Sequence, residues 1–190
     1  MGANSVLVVC GKMEMGREIV SLMLHNGYLS AELALSANEA RRKLNLTQPE
    51  LIIISAPIRD ETISEFVFDI SERYNSCIIV IVKREYLAET QYDLEKCGAL
   101  VLSKPLEKIT LVQTAKYAVI AKKSLSGLIT ENSKLKKKMD DKKVIDRAKW
   151  FLIENLSMTE PQAHRHIQKM AMDLRKPQVE VANDIINSYD

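Results

Sequence analysis

Two groups of residues in this 190-residue chain have types and spacing that could do chemistry. The first lies near the C-terminus, in the stretch AHRHIQK, where cationic and amide side chains recur at helical spacing. Cations pair with phosphates, and Arg, Gln and His reach the edges of unstacked bases. The pattern predicts contact with a nucleic acid, and the alternative for each side chain is a solvated surface charge. The candidate contact residues are Arg147, Lys149, His164, Arg165, Gln168, Lys169, Arg175 and Lys176.

The second group consists of residues at the ends of three apolar runs. One run ends at Cys10 and Gly11, another at Ser55, and a third at Lys104. Serine cannot form an acyl phosphate, and Mg²⁺ prefers hard carboxylate oxygens that these positions lack. The stretch CGKMEMG also lacks the Gly-Lys-Ser/Thr of a nucleotide-binding loop. With no Ser-His-Asp, Cys-His or metal-spaced cluster elsewhere, we predict no catalytic residue, metal or cofactor, and no enzyme activity.

In the front half of the chain, the secondary-structure elements that position these residues are alternating strands and helices. Consecutive apolar residues in the strand runs indicate burial on both faces, as in a parallel sheet covered by helices. Five βα repeats predict a doubly wound five-stranded parallel sheet with strand order 2-1-3-4-5. The predicted strands are Ser5–Val9, Leu29–Leu35, Leu51–Ser55, Cys77–Val82 and Ala99–Ser103. The predicted helices are Glu14–His25, Asn38–Leu46, Ile63–Tyr74 and Leu87–Cys97.

After Lys104-Pro105 the pattern becomes one helix, from about Leu106 to Asn155. Apolar residues spaced three and four apart form a heptad seam with leucine at d positions and one asparagine at an a position. This combination favours a two-stranded parallel coiled coil. The alternative is a single amphipathic helix lying on the front domain. The predicted dimerisation residues are Leu125, Leu128, Asn132, Leu135 and Met139.

The remaining residues predict a small three-helix bundle that uses the end of the long helix as its first member. Thr159 and Gln162 have the spacing of a capping box, and Pro161 suits a first helical turn. Pro177 marks the start of the third helix. Each helix has one apolar stripe, and three matching stripes can share a core.

Charge and composition limit the class of protein. Apolar residues make up 46% and charged residues 27%, which is ordinary for a soluble globular chain. Residues 1–106 carry 11 basic and 14 acidic residues, a net charge of −3, whereas 107–190 carry 16 and 11, a net charge of +5. The basic tail suits a polyanionic partner. No membrane span or secretory signal is visible, and three widely spaced cysteines indicate reduced thiols, so we predict a cytoplasmic protein without membrane contact.

The front half resembles the receiver domain of response regulators, through its βα repeats, the strand QPELIIIS and the stretch CGALVLSKPLE. In a receiver an aspartate at the end of the third strand takes a phosphoryl group, and an acidic pair after the first strand helps to hold Mg²⁺. Here Ser55 stands at the acceptor position and Cys10 and Gly11 at the acidic-pair positions, while Lys104 is retained before a cis-type proline. The resemblance implies a pseudo-receiver that aspartyl phosphorylation does not control. Another ligand in the crevice, or a protein partner, is the alternative signal.

The tail resembles the ANTAR family of RNA-binding transcription antitermination regulators, through MTEPQAHRHIQK, AMDLRK and EVANDII in the family's order. The resemblance implies binding to paired hairpins in nascent mRNA, which prevents a terminator stem from forming. It divides the chain into a pseudo-receiver (1–106), a coiled-coil linker (107–142) and an RNA-binding bundle (143–190) in a homodimer. Rival hypotheses are a helix-turn-helix DNA-binding regulator and a protein-interaction adaptor. Trp150 suits either base stacking or core packing.

Overall fold

The computed structural model describes residues 2–189, with side chains from 4 to 188. The chain divides into two compact units after Ser124. The first unit contains all five strands of the described chain and is α/β, whereas the second is helical.

The first unit is built on one parallel sheet with the order β2-β1-β3-β4-β5, which confirms the predicted topology. Because β3 and β4 are flanked by strands and covered on both faces, nearly all of their residues are buried, as their uninterrupted apolar runs predict. The strands are β1 Gly2–Cys10, β2 Ser30–Ala34, β3 Pro49–Ser55, β4 Cys77–Lys83 and β5 Leu100–Lys104.

Helices cover both faces of this sheet and make two separate cores. One core places side chains of α2, α3 and α4, such as Leu44, Phe66 and Leu94, against β1, β3 and β4. The other places Met23 of α1 and Leu111 of α5 against the opposite face. The helices are α1 Met13–His25, α2 Ala37–Leu46, α3 Ile63–Arg73, α4 Leu87–Lys96, α5 Lys108–Leu156, α6 Glu160–Leu174 and α7 Gln178–Tyr189, with a 3₁₀ turn at Arg84–Tyr86.

The first turns of α5 belong to the core of the first unit. Leu111, Val112, Ala115 and Val119 are buried there. Further along, Lys122 Nζ donates to the Ser76 carbonyl oxygen at 2.8 Å, and Lys123 pairs with Glu50 at 2.5 Å. The core therefore extends past residue 106, where the sequence places the domain boundary.

The second unit contains the rest of α5 together with α6 and α7. Its core is formed by one apolar stripe from each helix, including Ala148 and Leu152 of α5, Ile167 of α6 and Val181 of α7. Thr159 caps α6, and the predicted capping box with Gln162 is confirmed. Along α5 between the two cores, every residue from 123 to 140 is exposed.

Two features are absent from the described residues. Over residues 2–189 no helix is long and apolar enough to cross a membrane. In the same range no group of three or more His, Cys, Asp or Glu side chains could hold a metal ion.

Candidate nucleic-acid interface and the acceptor position

The carboxyl ends of β1, β3 and β5 bring the predicted acceptor region together. Cys10 and Ser55 are direct partners across β1 and β3. Ser55 is 1% exposed, and its hydroxyl group lies 3.0 Å from Lys104 Nζ and 3.3 Å from the thioether sulfur of Met15. The peptide bond between Lys104 and Pro105 is cis. This edge of the sheet therefore holds a serine–lysine hydrogen bond. The three positions where a receiver would have carboxylates are occupied by Cys10, Gly11 and Ser55.

Gly11 stands where the backbone of the β3–α3 loop comes close. A Cβ atom at this position would lie 3.0 Å from the Pro57 carbonyl oxygen, and the Gly11 carbonyl oxygen accepts a hydrogen bond from Arg59 Nε at 3.0 Å. An acidic side chain at Gly11 would require the loop to move. The close approach of the Pro57 carbonyl oxygen therefore favours glycine, and disfavours an acidic residue, at position 11.

The carboxylates that follow β3 in sequence are engaged elsewhere. Asp60 accepts hydrogen bonds from the backbone N–H groups of Ala37 at 2.7 Å and Asn38 at 3.0 Å, at the start of α2. Burial acts to raise the pKa of Asp60, but these bonds outweigh it and the pKa is lowered. Glu61 forms a bidentate pair with Arg41, at 2.6 and 2.8 Å. Neither carboxylate substitutes for the absent acceptor.

Lys104 has three neutral hydrogen-bond acceptors around its ammonium group. Beyond Ser55 and Met15, it donates to the Ala56 carbonyl oxygen at 3.2 Å. Burial lowers the pKa of Lys104, and the nearby positive charges of Lys12 and Lys83 act in the same direction. The ammonium group is therefore an uncompensated positive charge at the end of the sheet.

In the second unit, the exposed face of α6 carries four of the predicted RNA-binding residues. Arg165 and Lys169 are exposed one turn apart. His164 and Gln168 are also exposed one turn apart, and Gln168 Nε2 lies 3.0 Å from His164 Nε2. An amide nitrogen only donates, so the imidazole accepts through Nε2. Two cations and two side chains predicted to contact bases therefore lie on one solvent-facing surface.

Two of the predicted contact lysines are held by acidic side chains. Lys149 is 15% exposed and pairs with Asp146 at 2.7 Å and with Glu160 at 3.1 Å. The hydrogen bond that Lys149 donates to Asp146 is the largest cause of the raised pKa of Lys149. Lys176 pairs with Asp184 of α7 at 3.1 Å. The pair with Asp146 lies within α5, whereas the pairs with Glu160 and Asp184 link different segments of the bundle, so both lysines already have a structural role there.

The two predicted contact arginines outside this face differ in their surroundings. The guanidinium group of Arg147 lies 5.7 Å from the centroid of the Phe151 ring. Arg175 is exposed and ends α6 with a left-handed backbone, φ 52°. Glycine adopts this conformation at no steric cost, whereas a side chain makes it unfavourable.

Trp150 lies at the surface, where its ring contacts one neighbouring aromatic ring. It is 52% exposed, and its ring meets the Phe151 ring edge to face with centroids 5.3 Å apart. Its exposed half leaves a face available for stacking, next to the arginine that lies over Phe151.

Comparison with solved structures shows that the first unit has the receiver-domain fold. The chain is similar to a two-component response regulator from Clostridium difficile, with 18% identity over 60% of this chain and 94% of that one, at a TM-score of 0.56. It is also similar to the beryllofluoride-activated NtrC4 receiver domain, with 24% identity over 63% and 99% of the two chains, at a TM-score of 0.58. At these identities the likeness establishes the fold alone.

The family comparison decides the nature of the second unit. Residues 133–186 match the ANTAR domain family. The chain carries a C-terminal ANTAR domain. The match begins within α5 and covers α6 and most of α7, so it contains the whole core of the bundle and all eight predicted RNA-binding residues.

One relative is similar to this chain over most of the length of both proteins. The transcriptional regulatory protein PdtaR of Mycobacterium tuberculosis is 26% identical over 176 residues, which cover 90% of this chain and 83% of the relative. The similarity therefore extends through the receiver fold, α5 and the ANTAR domain together.

Three features of these sites have only weak signals in the sequence. The contact of Met15 with Ser55 and Lys104 depends on how α1 lies over the sheet. The role of Asp60 as a cap for α2 could be suspected only from the pairing of β1 with β3. The left-handed backbone at Arg175 has a partial signal, because a helix ends there, two residues before Pro177.

Proposed function

We propose that this protein is a transcription antitermination regulator that binds paired hairpins in nascent mRNA through its ANTAR domain. Holding the hairpins prevents an overlapping terminator stem from forming, so transcription continues. The observation that carries the proposal is the ANTAR match over residues 133–186. The relationship to a transcriptional regulatory protein over 90% of the chain supports the same conclusion.

The surface of the bundle supports single-stranded loops as the target. Arg165 and Lys169 are exposed without an acidic partner in the described chain, so they can neutralise phosphates. His164 and Gln168 lie beside them and present groups that can read the edges of unstacked bases. Lys149 would have to leave two carboxylates to reach a phosphate, so its contribution to affinity is smaller.

Control of this regulator does not pass through aspartyl phosphorylation. Ser55, Cys10 and Gly11 supply no carboxylate at the carboxyl ends of β1 and β3, and Asp60 caps α2. A receiver fold without this chemistry can still bind a ligand or a protein partner.

Dimerisation through α5 completes the proposal. Leu125, Leu128, Leu135 and Met139 are each more than half exposed on a helix stretch that contacts neither described core. Leucine at d positions with Asn132 at an a position favours two parallel strands in register. A dimer presents two ANTAR domains to two hairpins of one RNA.

The test is a titration of the full chain against a hairpin pair, the same pair with altered loops, and duplex DNA. We expect the correct pair to bind best and the affinity to fall steeply between about 50 and 200 mM salt. Arg165→Ala and Lys169→Ala should weaken binding to all hairpins and flatten the salt slope by about one unit each. Gln168→Ala should instead lose about 1–3 kcal/mol of discrimination between loops, by analogy with base-edge contacts in DNA.

Lys96→Ala is the matched control, because it removes the same charge from an exposed position of the first unit. It should leave affinity and salt slope unchanged. Tighter binding to duplex DNA than to hairpins would favour a helix-turn-helix regulator. No binding to either nucleic acid would favour a protein-interaction adaptor.

A further inference from the structure

A cavity lies beside the acceptor position, between α1, the start of α5 and the carboxyl ends of the sheet. Its volume is about 290 Å³, and it lies wholly within the first unit. The residues that shape it are Ile19, Leu22, Ser55, Lys104, Leu106 and Leu111. Ligand pockets in proteins start at roughly 300 Å³, so this one suits a small molecule.

The floor of the cavity carries a positive charge without a negative partner. Lys104 Nζ is bonded to the Ser55 hydroxyl group, the Ala56 carbonyl oxygen and the Met15 sulfur, all neutral. No carboxylate in the described chain forms an ion pair with it. Because burial already lowers the pKa of Lys104, an anion placed beside the ammonium group would be favoured.

The walls and the mouth restrict what that anion can be. Four aliphatic side chains, those of Ile19, Leu22, Leu106 and Leu111, line the space above Lys104. The exposed Glu18 and Glu107 border the cavity together with one exposed cation, Lys108, so the mouth has a net negative charge that repels groups with several negative charges. A polyphosphate or nucleotide is therefore disfavoured, while a molecule with one charge and an apolar body matches both regions.

We propose that this cavity binds a small organic acid, with its single carboxylate on Lys104 and Ser55 and its apolar body between α1 and α5. At roughly 30 Å³ for each water-sized group, the space holds about ten non-hydrogen atoms. The site would give the receiver fold an input that does not need a phosphoryl group. It is independent of RNA binding, because every lining residue lies in the first unit.

The experiment uses phenylacetate and its neutral amide, phenylacetamide, which have the same shape and differ in charge. Methyl resonances of the isoleucines and leucines of the full chain are followed during titration with each probe, and with inorganic phosphate. We expect phenylacetate to shift the resonances of Ile19, Leu22, Leu106 and Leu111, and to bind at least about tenfold more tightly than the amide or phosphate.

Two variants and a control locate the site. Lys104→Gln should weaken phenylacetate binding at least about tenfold, and Leu22→Trp should fill the cavity and abolish it. Lys116→Gln removes an exposed cation of α5 that does not line the cavity, and it should change affinity less than about threefold. Preserved methyl dispersion shows that each variant is folded, and failure of one to fold leaves the other to test the site.

Four results would overturn the proposal. One is equal binding of the acid and the amide, and another is unchanged binding to Lys104→Gln. The third is the absence of any shift at the cavity with phenylacetate at about 10 mM, the weakest affinity expected of a ligand this size. Phosphate binding as tightly as phenylacetate would leave a simple anion site in place of an organic-acid site.

Discussion

At the scale of single residues, the predicted acceptor position holds a hydrogen bond between a serine hydroxyl and a lysine ammonium group. Ser55 and Lys104 hydrogen-bond at 3.0 Å, and Met15 lies against both side chains. The serine hydroxyl at this position accepts a hydrogen bond from the lysine ammonium group and carries no charge itself. The hydrogen bonds of Ser55 are thus made within the protein, whereas the charge of Lys104 has no carboxylate partner in the described chain.

Incubation with acetyl phosphate and Mg²⁺ should therefore leave the protein unlabelled. We expect the same of Ser55→Asp, because Cys10 and Gly11 still provide no carboxylates for the ion. Intact mass spectrometry, with and without base treatment, measures the outcome. A base-labile phosphoryl group on the unmodified protein would show that the first unit is an active receiver.

Arg175 is held in an unfavourable backbone conformation. Arg175→Gly removes a side chain from a left-handed site, so it should stabilise the bundle by up to about 1 kcal/mol. It should also weaken hairpin binding, since it removes a candidate phosphate contact. Denaturation followed by fluorescence of Trp150, in the second unit, reports the stability of the bundle.

Ser157→Gly is the matched control for that change. Ser157 also has a left-handed backbone, φ 49°, but it carries no charge. We expect similar stabilisation with hairpin affinity unchanged. If Arg175→Gly binds hairpins as tightly as the unmodified chain, Arg175 is not a contact residue.

At the scale of elements, α5 passes through three environments along Lys108–Leu156. Its first turns are buried against the sheet, its middle is exposed, and its last turns enter the bundle core. Only tertiary packing divides the helix in this way. The exposed middle contains the residues through which we propose that two chains pair.

Replacing both Leu128 and Leu135 with lysine should separate the dimer. Each substitution places a charge in an apolar seam, where an unpaired charge is costly to bury. Light scattering at micromolar concentration should give twice 21.5 kDa for the unmodified chain and 21.5 kDa for the variant.

Thr130→Lys provides the comparison, because it adds a lysine to the same exposed stretch on the side away from the seam. It should remain dimeric. A monomeric unmodified chain with full affinity for a hairpin pair would remove the coiled coil from the mechanism.

At the scale of the whole molecule, dimerisation and RNA binding should reinforce each other. Two hairpins in one RNA make the second binding event intramolecular, so the effective concentration of the second site is high. The unmodified protein should bind a two-hairpin RNA at least about tenfold more tightly than a single hairpin. The variant with lysine at 128 and 135 should lose this difference while keeping its affinity for one hairpin. An equal advantage in the monomeric variant would mean that one chain holds both hairpins.

The sequence by itself determined the elements and their order. Runs of consecutive apolar residues placed β3 and β4 in a buried parallel sheet, and turn chemistry placed Thr159 at the start of α6. These signals are local, because burial on both faces and a capping box each involve residues close in sequence. The sequence also showed that Cys10, Gly11 and Ser55 stand where a receiver has carboxylates, because these positions follow directly from the ends of the predicted strands.

Tertiary structure alone decided what lies beside those residues. Met15 is 40 residues from Ser55 and 89 from Lys104, yet it contacts both. Lys149 and Lys176 belong to the predicted set of cations, but only the packing of the bundle brings Glu160 to Lys149 and Asp184 to Lys176. Periodicity shows which face of a helix is buried without showing what covers it. For the same reason, only the structure reveals that the start of α5 closes a cavity over Lys104.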